Sequence, residues 1–440
     1  MEHELEDELE DKFIQFGCWN NTIKKGCLEN VTTYLKQHLE SEKITHPHNF
    51  IIVSGDNYYP SKNKDASTKI KIIDPRELKK GFDYLPTDLP IFMILGNHDL
   101  ETNTKKQELF IGKETNPESN CAILNYEYYS KKKNVNYNFF KEKMLKNGTL
   151  LLMVDTSIYD DDADDYLSCY NNFFSNKSNK YYNPKYHDKT NKYENINELK
   201  QYQKDIIQKS IAKYSDERNE SIRNVIIVGH HPIVYIKTKK NKDKKEKKEK
   251  EEKKEKKEKK EKEEKKDEFK TTVKSDIINK DNSFLEVLKD IYTSLPSSPK
   301  YYYLCSDLHL YQEGIIQIPV DDAVMEIKQY IVGTGGTEID PDLSKAGKLE
   351  HYLKGTNENG SNDYEDGITY KLESEIPTCG FLECIINEVP EFQFIPLPLE
   401  LQESAGGRKT SKKTKSKNTK KNKSKKNKSK NTKKNKYYYN

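Results

Sequence analysis

Four apolar runs in this chain each end on a residue able to bind a metal or move a proton, and that repetition restricts the fold more than any other feature. Between Asn49 and Pro60, Phe50, Ile51, Ile52 and Val53 form a strand-like run that stops at Ser54-Gly55 and delivers Asp56. The run Ile91–Leu95 delivers Gly96-Asn97-His98-Asp99, and Val225–Val228 delivers Gly229-His230-His231-Pro232. A fourth, Tyr301–Leu304, delivers Cys305-Ser306-Asp307-Leu308-His309. Short continuous apolar runs bounded by turn residues are the signature of buried strands. In open α/β sheets functional groups collect beyond the carboxyl ends of such strands.

The chain has 440 residues, but two segments cannot belong to a core. Residues 237–270 are almost wholly Lys and Glu, and residues 404–440 are Lys, Asn, Ser and Thr with a terminal Tyr run. Neither holds enough apolar surface to offset chain entropy. The first is expected to be a low-complexity insertion in a surface loop, either a solvated or coiled-coil-like helix laced with i,i+4 pairs or disordered. The second is expected to be a disordered basic tail. The remainder, residues 12–400, suits one large α/β domain. The tail carries 16 Lys or Arg and no acid, which leaves the rest of the chain at −12 against an overall charge of +4. Such a tail either docks on a polyanion, nucleic acid included, or serves only as a solubilising extension.

The first residues are acidic and lack the apolar core of a secretory signal, and no run reaches the length of a transmembrane helix. The seven cysteines are odd in number and show no C-x-x-C spacing. Reduced thiols and an intracellular location are therefore expected.

A first strand is expected at Lys12–Phe16, ending in Gly17-Cys18-Trp19. Val31, Tyr34, Leu35, His38 and Leu39 follow at helical spacing, so β-α-β connectivity leads into the Asp56 strand. Further strands are expected at Asn125–Tyr129, Val135–Phe140, Leu150–Val154 (before Asp155-Thr156-Ser157), Glu326–Val332, Phe381–Ile386 and Phe392–Ile395. Helices are expected around Leu199–Ile211 and Phe284–Leu288. Residues 160–195 are expected to be a long irregular loop.

Asp56, Asn97, His230, Asp307 and His309 are hard or borderline ligands suited to Mn, Fe or Zn. A carboxylate between two cations can bridge them, and a pair roughly 3.5–4 Å apart would activate water and clamp a phosphoryl oxygen.

The blocks G-D-N-Y-Y (Gly55–Tyr59), G-N-H-D (Gly96–Asp99) and G-H-H-P (Gly229–Pro232) resemble the calcineurin-like metallophosphoesterases, and most of all the small purple (tartrate-resistant) acid phosphatases. D-T-S at Asp155–Ser157 and G-T-G-G at Gly333–Gly336 stand where that family has similar segments. The resemblance implies a β-sandwich of two mixed sheets flanked by helices, with a metal site at the strand ends. It implies hydrolysis of phosphate monoesters by a metal-bound hydroxide, with two divalent or trivalent ions (Fe, Mn or Zn) as cofactors. Carried over by position, Asp56 matches the bridging carboxylate and Tyr59 the phenolate ligand of a ferric ion. Asn97 and His230 match ligands of the second ion, and His309 matches a histidine on the ferric side. His98 matches a histidine that contacts the substrate phosphate.

Three positions depart from the family pattern. Cys18 stands where an aspartate ligand is expected. Ser306-Asp307-Leu308-His309 replaces G-H-x-H, so Asp307 is a candidate substitute ligand. No histidine follows shortly after G-H-H-P, where the family has one; His187 is the nearest from another loop. Three functions stay open on this basis: a phosphatase with altered metal preference, a weakened pseudo-phosphatase used as a binding scaffold, and a nucleic-acid-associated protein acting through its tail.

Overall fold

The computed structural model describes residues 11–21, 27–43, 47–59, 61–62, 71–72, 75–86, 88–100, 135–175, 193–216, 222–240, 269–278, 284–295, 299–345, 347–353 and 367–401. In chain order the strands begin with β1 (Asp11–Phe16), β2 (Phe50–Ser54), the short pair β3 (Ser61–Lys62) and β4 (Lys71–Ile72), β5 (Ile91–Ile94), β6 (Val135–Tyr137), β7 (Phe140–Leu145), β8 (Thr149–Val154) and β9 (Asn224–Val228). They continue with β10 (Tyr235–Lys240), β11 (Phe269–Lys274), β12 (Lys300–Cys305), β13 (Tyr311–Val320), β14 (Ala323–Val332), β15 (Thr369–Ile376), β16 (Gly380–Ile386) and β17 (Glu391–Pro396). The helices are α1 (Leu28–Glu42), α2 (Pro75–Tyr84), α3 (Asn97–Leu100), α4 (Ala163–Ser175), α5 (Ile196–Asp216), α6 (Phe284–Thr293) and α7 (Leu349–Leu353).

Two mixed sheets carry the fold. The first runs β17-β16-β1-β2-β5-β6 and the second β15-β13-β14-β12-β9-β8-β7. In the first, β1, β2, β5 and β6 are parallel, β16 is antiparallel to β1, and β17 is antiparallel to β16. In the second, β8, β9, β12 and β14 are parallel, β7 is antiparallel to β8, β13 to β14, and β15 to β13.

Strand alternation explains why the sheets face each other. Side chains point to opposite faces in turn, so a strand apolar at every position must be covered on both sides. Phe13, Phe50, Ile52, Leu151, Met153, Ile226, Val228, Tyr302 and Leu304 share one core between the sheets. Their neighbours Ile14, Ile51, Leu150, Leu152, Val225, Ile227, Tyr301 and Tyr303 join a second core with the helices, for example Val31 and Leu35 of α1 and Leu199 and Ile207 of α5. The result is a sandwich flanked by helices, as the family resemblance implied.

The structure corrects three expectations. Residues 160–195 are not one irregular loop: α4 occupies Ala163–Ser175 and buries Ala163, Tyr166, Cys169, Tyr170, Phe173 and Phe174. Those residues recur at helical spacing, but the surrounding Asp and Asn obscure the stripe. Val135–Phe140 is not one strand. Asn138 breaks it, donating from Nδ2 to Asn136 O at 2.8 Å, and the two halves enter different sheets. Nor are all the cysteines reduced. Cys27, just before α1, forms a disulfide with Cys379, just before β16, and Cys169 is also disulfide-bonded. Cys18, Cys305 and Cys384 are free thiols.

The ends of the Lys/Glu-rich block are ordered as a hairpin, with Lys237 opposite Thr272 and Lys240 opposite Phe269. The rest of that block, the strand expected at Asn125–Tyr129, His187 and the basic tail lie outside the described residues. Among the described residues no helix is long and apolar enough to cross a membrane.

Candidate metal centre

β1, β2 and β5 of the first sheet and β9 and β12 of the second all end on one rim, and their trailing loops converge there. Asp56 is at the centre, 1 % exposed. Its Oδ1 lies 3.3 Å from His230 Nε2 and accepts the His98 N–H at 3.2 Å. Its Oδ2 accepts the Tyr59 hydroxyl at 2.9 Å, lies 3.7 Å from Cys18 Sγ and 4.0 Å from His98 Nε2. His309 joins this second side, its Nε2 3.2 Å from the Tyr59 oxygen. Asp307 joins the first, its Oδ1 3.8 Å from His230 Nε2.

The two carboxylate oxygens thus face two donor groups. The ligating atoms of Cys18, Asp56 and His309 all lie within 4.8 Å of one another, and so do those of His230, His231 and Asp307. Of the eight residues singled out in the sequence, Asp56 and six others gather at this rim. Asn97 makes a local contact instead, its Oδ1 accepting the His98 N–H at 3.0 Å.

The backbone is bent to reach this arrangement. Asp56, Cys18 and Asp307 adopt φ of 52°, 51° and 46°. Left-handed backbone at a non-glycine residue costs on the order of 1–3 kcal/mol and clusters at functional sites. Close packing adds to the constraint. A Cβ on Gly55 would collide with the His230 ring, and one on Gly96 with Asp56.

The supporting residues come from motifs that spacing alone left without a task. Thr156 of the D-T-S block accepts the N–H groups of His230 and His231 at 3.0 and 3.1 Å, which fixes the G-H-H-P turn. The G-T-G-G block holds the Cys18 loop: Gly335 N donates to Gly17 O and Thr337 N to Cys18 O. Asp99, fully buried, accepts the Gly96 and Asn57 N–H groups and so links the Asp56 loop to the His98 loop. His231 and Asp160 were also missed as site residues. Their side chains lie 3.7 Å apart beside Asp307. The doubled histidine of G-H-H-P was the available signal for His231; nothing marks Asp160 among its acidic neighbours.

Charges follow from burial and neighbours. Burial works against an ionised Asp56, but His230, His98, His309 and the Tyr59 hydroxyl outweigh it and hold the carboxyl at about 2. Burial, then the Asp56 and Asp307 carboxylates, push the Cys18 thiol well above its usual range. Burial and Asp56 do the same to Tyr59. Burial, with His230 beside it, lowers His231 to about 4, so its imidazole is neutral at pH 7. Burial, then Asp307, raises Asp160 to about 6.

The sequence profile of the calcineurin-like phosphoesterase family matches residues 11–258. The chain belongs to that family. Members of the calcineurin-like phosphoesterases typically bind two metal ions. A search of curated proteins finds no match.

The donors present fit cations of that kind. His230 Nδ1 is 2.8 Å from the Ser54 carbonyl, to which it donates, so Nε2 is left with a lone pair. That Nε2 and the Nε2 of His231 are buried without a hydrogen bond. A buried nitrogen without a hydrogen bond carries a desolvation cost. An ion between it and Asp56 would remove that cost, and a fixed tautomer is how ligating histidines are held.

Proposed function

We propose that this calcineurin-like phosphoesterase is a binuclear metal-dependent phosphomonoesterase of the purple acid phosphatase type with an altered ligand set. The observation that carries this is the pair of donor groups on the two oxygens of one buried carboxylate. Asp56 would bridge two cations. Cys18, Tyr59 and His309 would complete one side, and Asn97, His230 and Asp307 the other, with His231 in reach. Two cations so held acidify a water and neutralise charge on the phosphoryl oxygens.

The chain's own residues supply position and exclusion. Ser54 O orients His230 and Asp99 orients the His98 loop. The His98 side chain is 30 % exposed, whereas His230 and His231 are buried, so His98 is placed to reach a substrate phosphate and its leaving oxygen. Its ring leans on Tyr59 at 4.7 Å between centroids, which limits its orientation.

The substituted ligands support a second, weaker reading, a pseudo-phosphatase. Cys18 is held as a neutral thiol by burial and by two carboxylates, so a cation there must displace its proton. One experiment separates the two. The chain is produced with Fe, Mn and Zn available, and metal per chain is measured with hydrolysis of p-nitrophenyl phosphate. The expected result is that Asp56→Asn holds about two metals per chain fewer than the unsubstituted chain and loses turnover with them. Metal without turnover favours the pseudo-phosphatase, and no bound metal overturns both.

A further inference from the structure

A second group of metal-type donors lies at the opposite end of the first sheet. His38 from α1, His48 from the loop entering β2 and Glu383 from β16 place their ligating atoms within 4.8 Å of one another. His38 Nε2 is 2.7 Å and His48 Nε2 3.0 Å from the same oxygen, Glu383 Oε1. β2 separates this cluster from Asp56, a span of roughly 20 Å at about 3.3 Å per residue. The two groups therefore cannot share an ion.

We propose that His38, His48 and Glu383 bind one zinc-class divalent cation that ties α1, the α1–β2 connection and the closing hairpin together. Two imidazoles and one carboxylate are a donor set suited to zinc. Three observations favour an ion over a simple ion-pair cluster. The Lys12 ammonium is also 3.0 Å from Glu383 Oε1, so three N–H donors crowd an oxygen with two lone pairs. The crowding has a ready release, because Lys12 is already 3.4 Å from Glu42, to which it can turn when a cation takes Glu383. His48 lines a cavity of about 540 Å³ with Lys36, Glu40, Lys43 and Pro47, which gives an ion a path from solvent.

The location explains what such an ion would do. Glu383 lies at the middle of β16, in register with Ile14 of β1, and the Cys27–Cys379 disulfide ties the start of β16 to the start of α1. An ion at His38, His48 and Glu383 would add a second tie between α1 and β16.

The test compares the full chain with His38→Gln/His48→Gln, both equilibrated with zinc and freed of excess. The double variant should hold about one zinc fewer per chain and lose a zinc-dependent rise in Tm that the unsubstituted chain displays. Glu383→Gln, which keeps a hydrogen-bonding oxygen, should weaken zinc binding at least about tenfold. Equal zinc content in the full chain and the double variant overturns the proposal. If the double variant fails to fold, anomalous scattering at the zinc edge from crystals of the unsubstituted chain decides the matter. A peak between His38, His48 and Glu383 is expected, and its absence means an ion-pair cluster only. Because Asp56→Asn removes ions from the other end of the sheet alone, loss of this site and failure of the phosphatase reading are read out separately.

Discussion

Replacing Asp99 tests whether the candidate centre is held by a buried acceptor rather than by its own ligands. Asp99 is fully buried. Its Oδ1 accepts the Asn57 N–H at 3.0 Å, and its Oδ2 accepts the Gly96 N–H at 2.8 Å and Asn57 Nδ2 at 2.9 Å. Asn57 Nδ2 has a second partner in Ile94 O. The two backbone N–H groups depend on Asp99. Asp99→Ala leaves both buried without an acceptor, at about 1–3 kcal/mol each, so a loss of roughly 2–6 kcal/mol is expected. Asp99→Asn retains a carbonyl that can occupy the Oδ2 position and turns its NH2 toward the Asn57 N–H. One mismatch remains, and the expected loss is about 1–2 kcal/mol. Equilibrium unfolding in urea measures both. Turnover should fall further than stability accounts for, by about a hundredfold for a displacement of about 1 Å, since Asn57 follows Asp56 and Gly96 precedes the His98 helix. The reasoning is refuted if Asp99→Ala unfolds with the unsubstituted chain, or if Asn costs as much as Ala.

Other predictions follow from single features. Cys18→Asp supplies an anion without displacing a thiol proton and suits the left-handed backbone better, so metal affinity and turnover in the phosphatase assay should both rise; a fall in either counts against Cys18 as a ligand position. Burial raises Asp155 to about 7 from 3.8, so its folded form holds a proton that the unfolded chain releases. Its contribution is complete below about pH 4 and is lost as pH rises through 7, at up to about 1.4 kcal/mol per unit. With EDTA present, Asp155→Asn should flatten that slope, and an unchanged slope refutes the assignment. The Cys27–Cys379 bond closes a loop spanning 352 residues in sequence, so Cys27→Ser/Cys379→Ser should lose about 2–5 kcal/mol by unfolding under non-reducing conditions. Removing residues 404–440 should abolish salt-dependent retention on DNA while turnover persists; equal retention would mean that the tail is not the polyanion contact.

Much of the sandwich was legible because its central strands are apolar at every position. Ile51, Ile52 and Val53, or Val225 to Val228, admit only a strand covered on both faces. The strand ends were legible for the same reason, since each core run stops abruptly at a glycine or serine before its polar residue. The outer strands were not. β13 and β15 mix Gln, Glu, Lys and Thr with their apolar positions, and only the pairing of β13 with β14 and of β15 with β13 makes them strands. Cys27 and Cys379 stand 352 positions apart, and no local pattern predicts that two such segments meet. His231 and Asp160 were hidden because they follow β9 and β8, far apart in sequence, and meet only when those strands pair.

Contact between the two sheets accounts for Ser306. The resemblance read in the sequence places a glycine there. The structure gives it a task. Ser306 Oγ donates to the Ser54 carbonyl and lies 3.1 Å from His230 Nδ1, so the end of β12 in the second sheet is bonded to the end of β2 in the first. Ser54 Oγ returns the contact at 3.3 Å, and Gln15 of β1 reaches both Ser54 Oγ and Cys305 O. Gly17 makes room, because a Cβ there would strike the Ser306 hydroxyl. The clamp lies in the seam that the candidate centre straddles, with Asp56 and Cys18 on one sheet and His230 and Asp307 on the other. Apolar contacts between sheets are non-directional and would tolerate a small slip. Buried hydrogen bonds would not, since a slip strands their partners at about 1–3 kcal/mol each. The serine is therefore coupled to the candidate centre: the position of His230 against Asp56 rests on the hydrogen bonds that Ser54 and Ser306 make behind its ring.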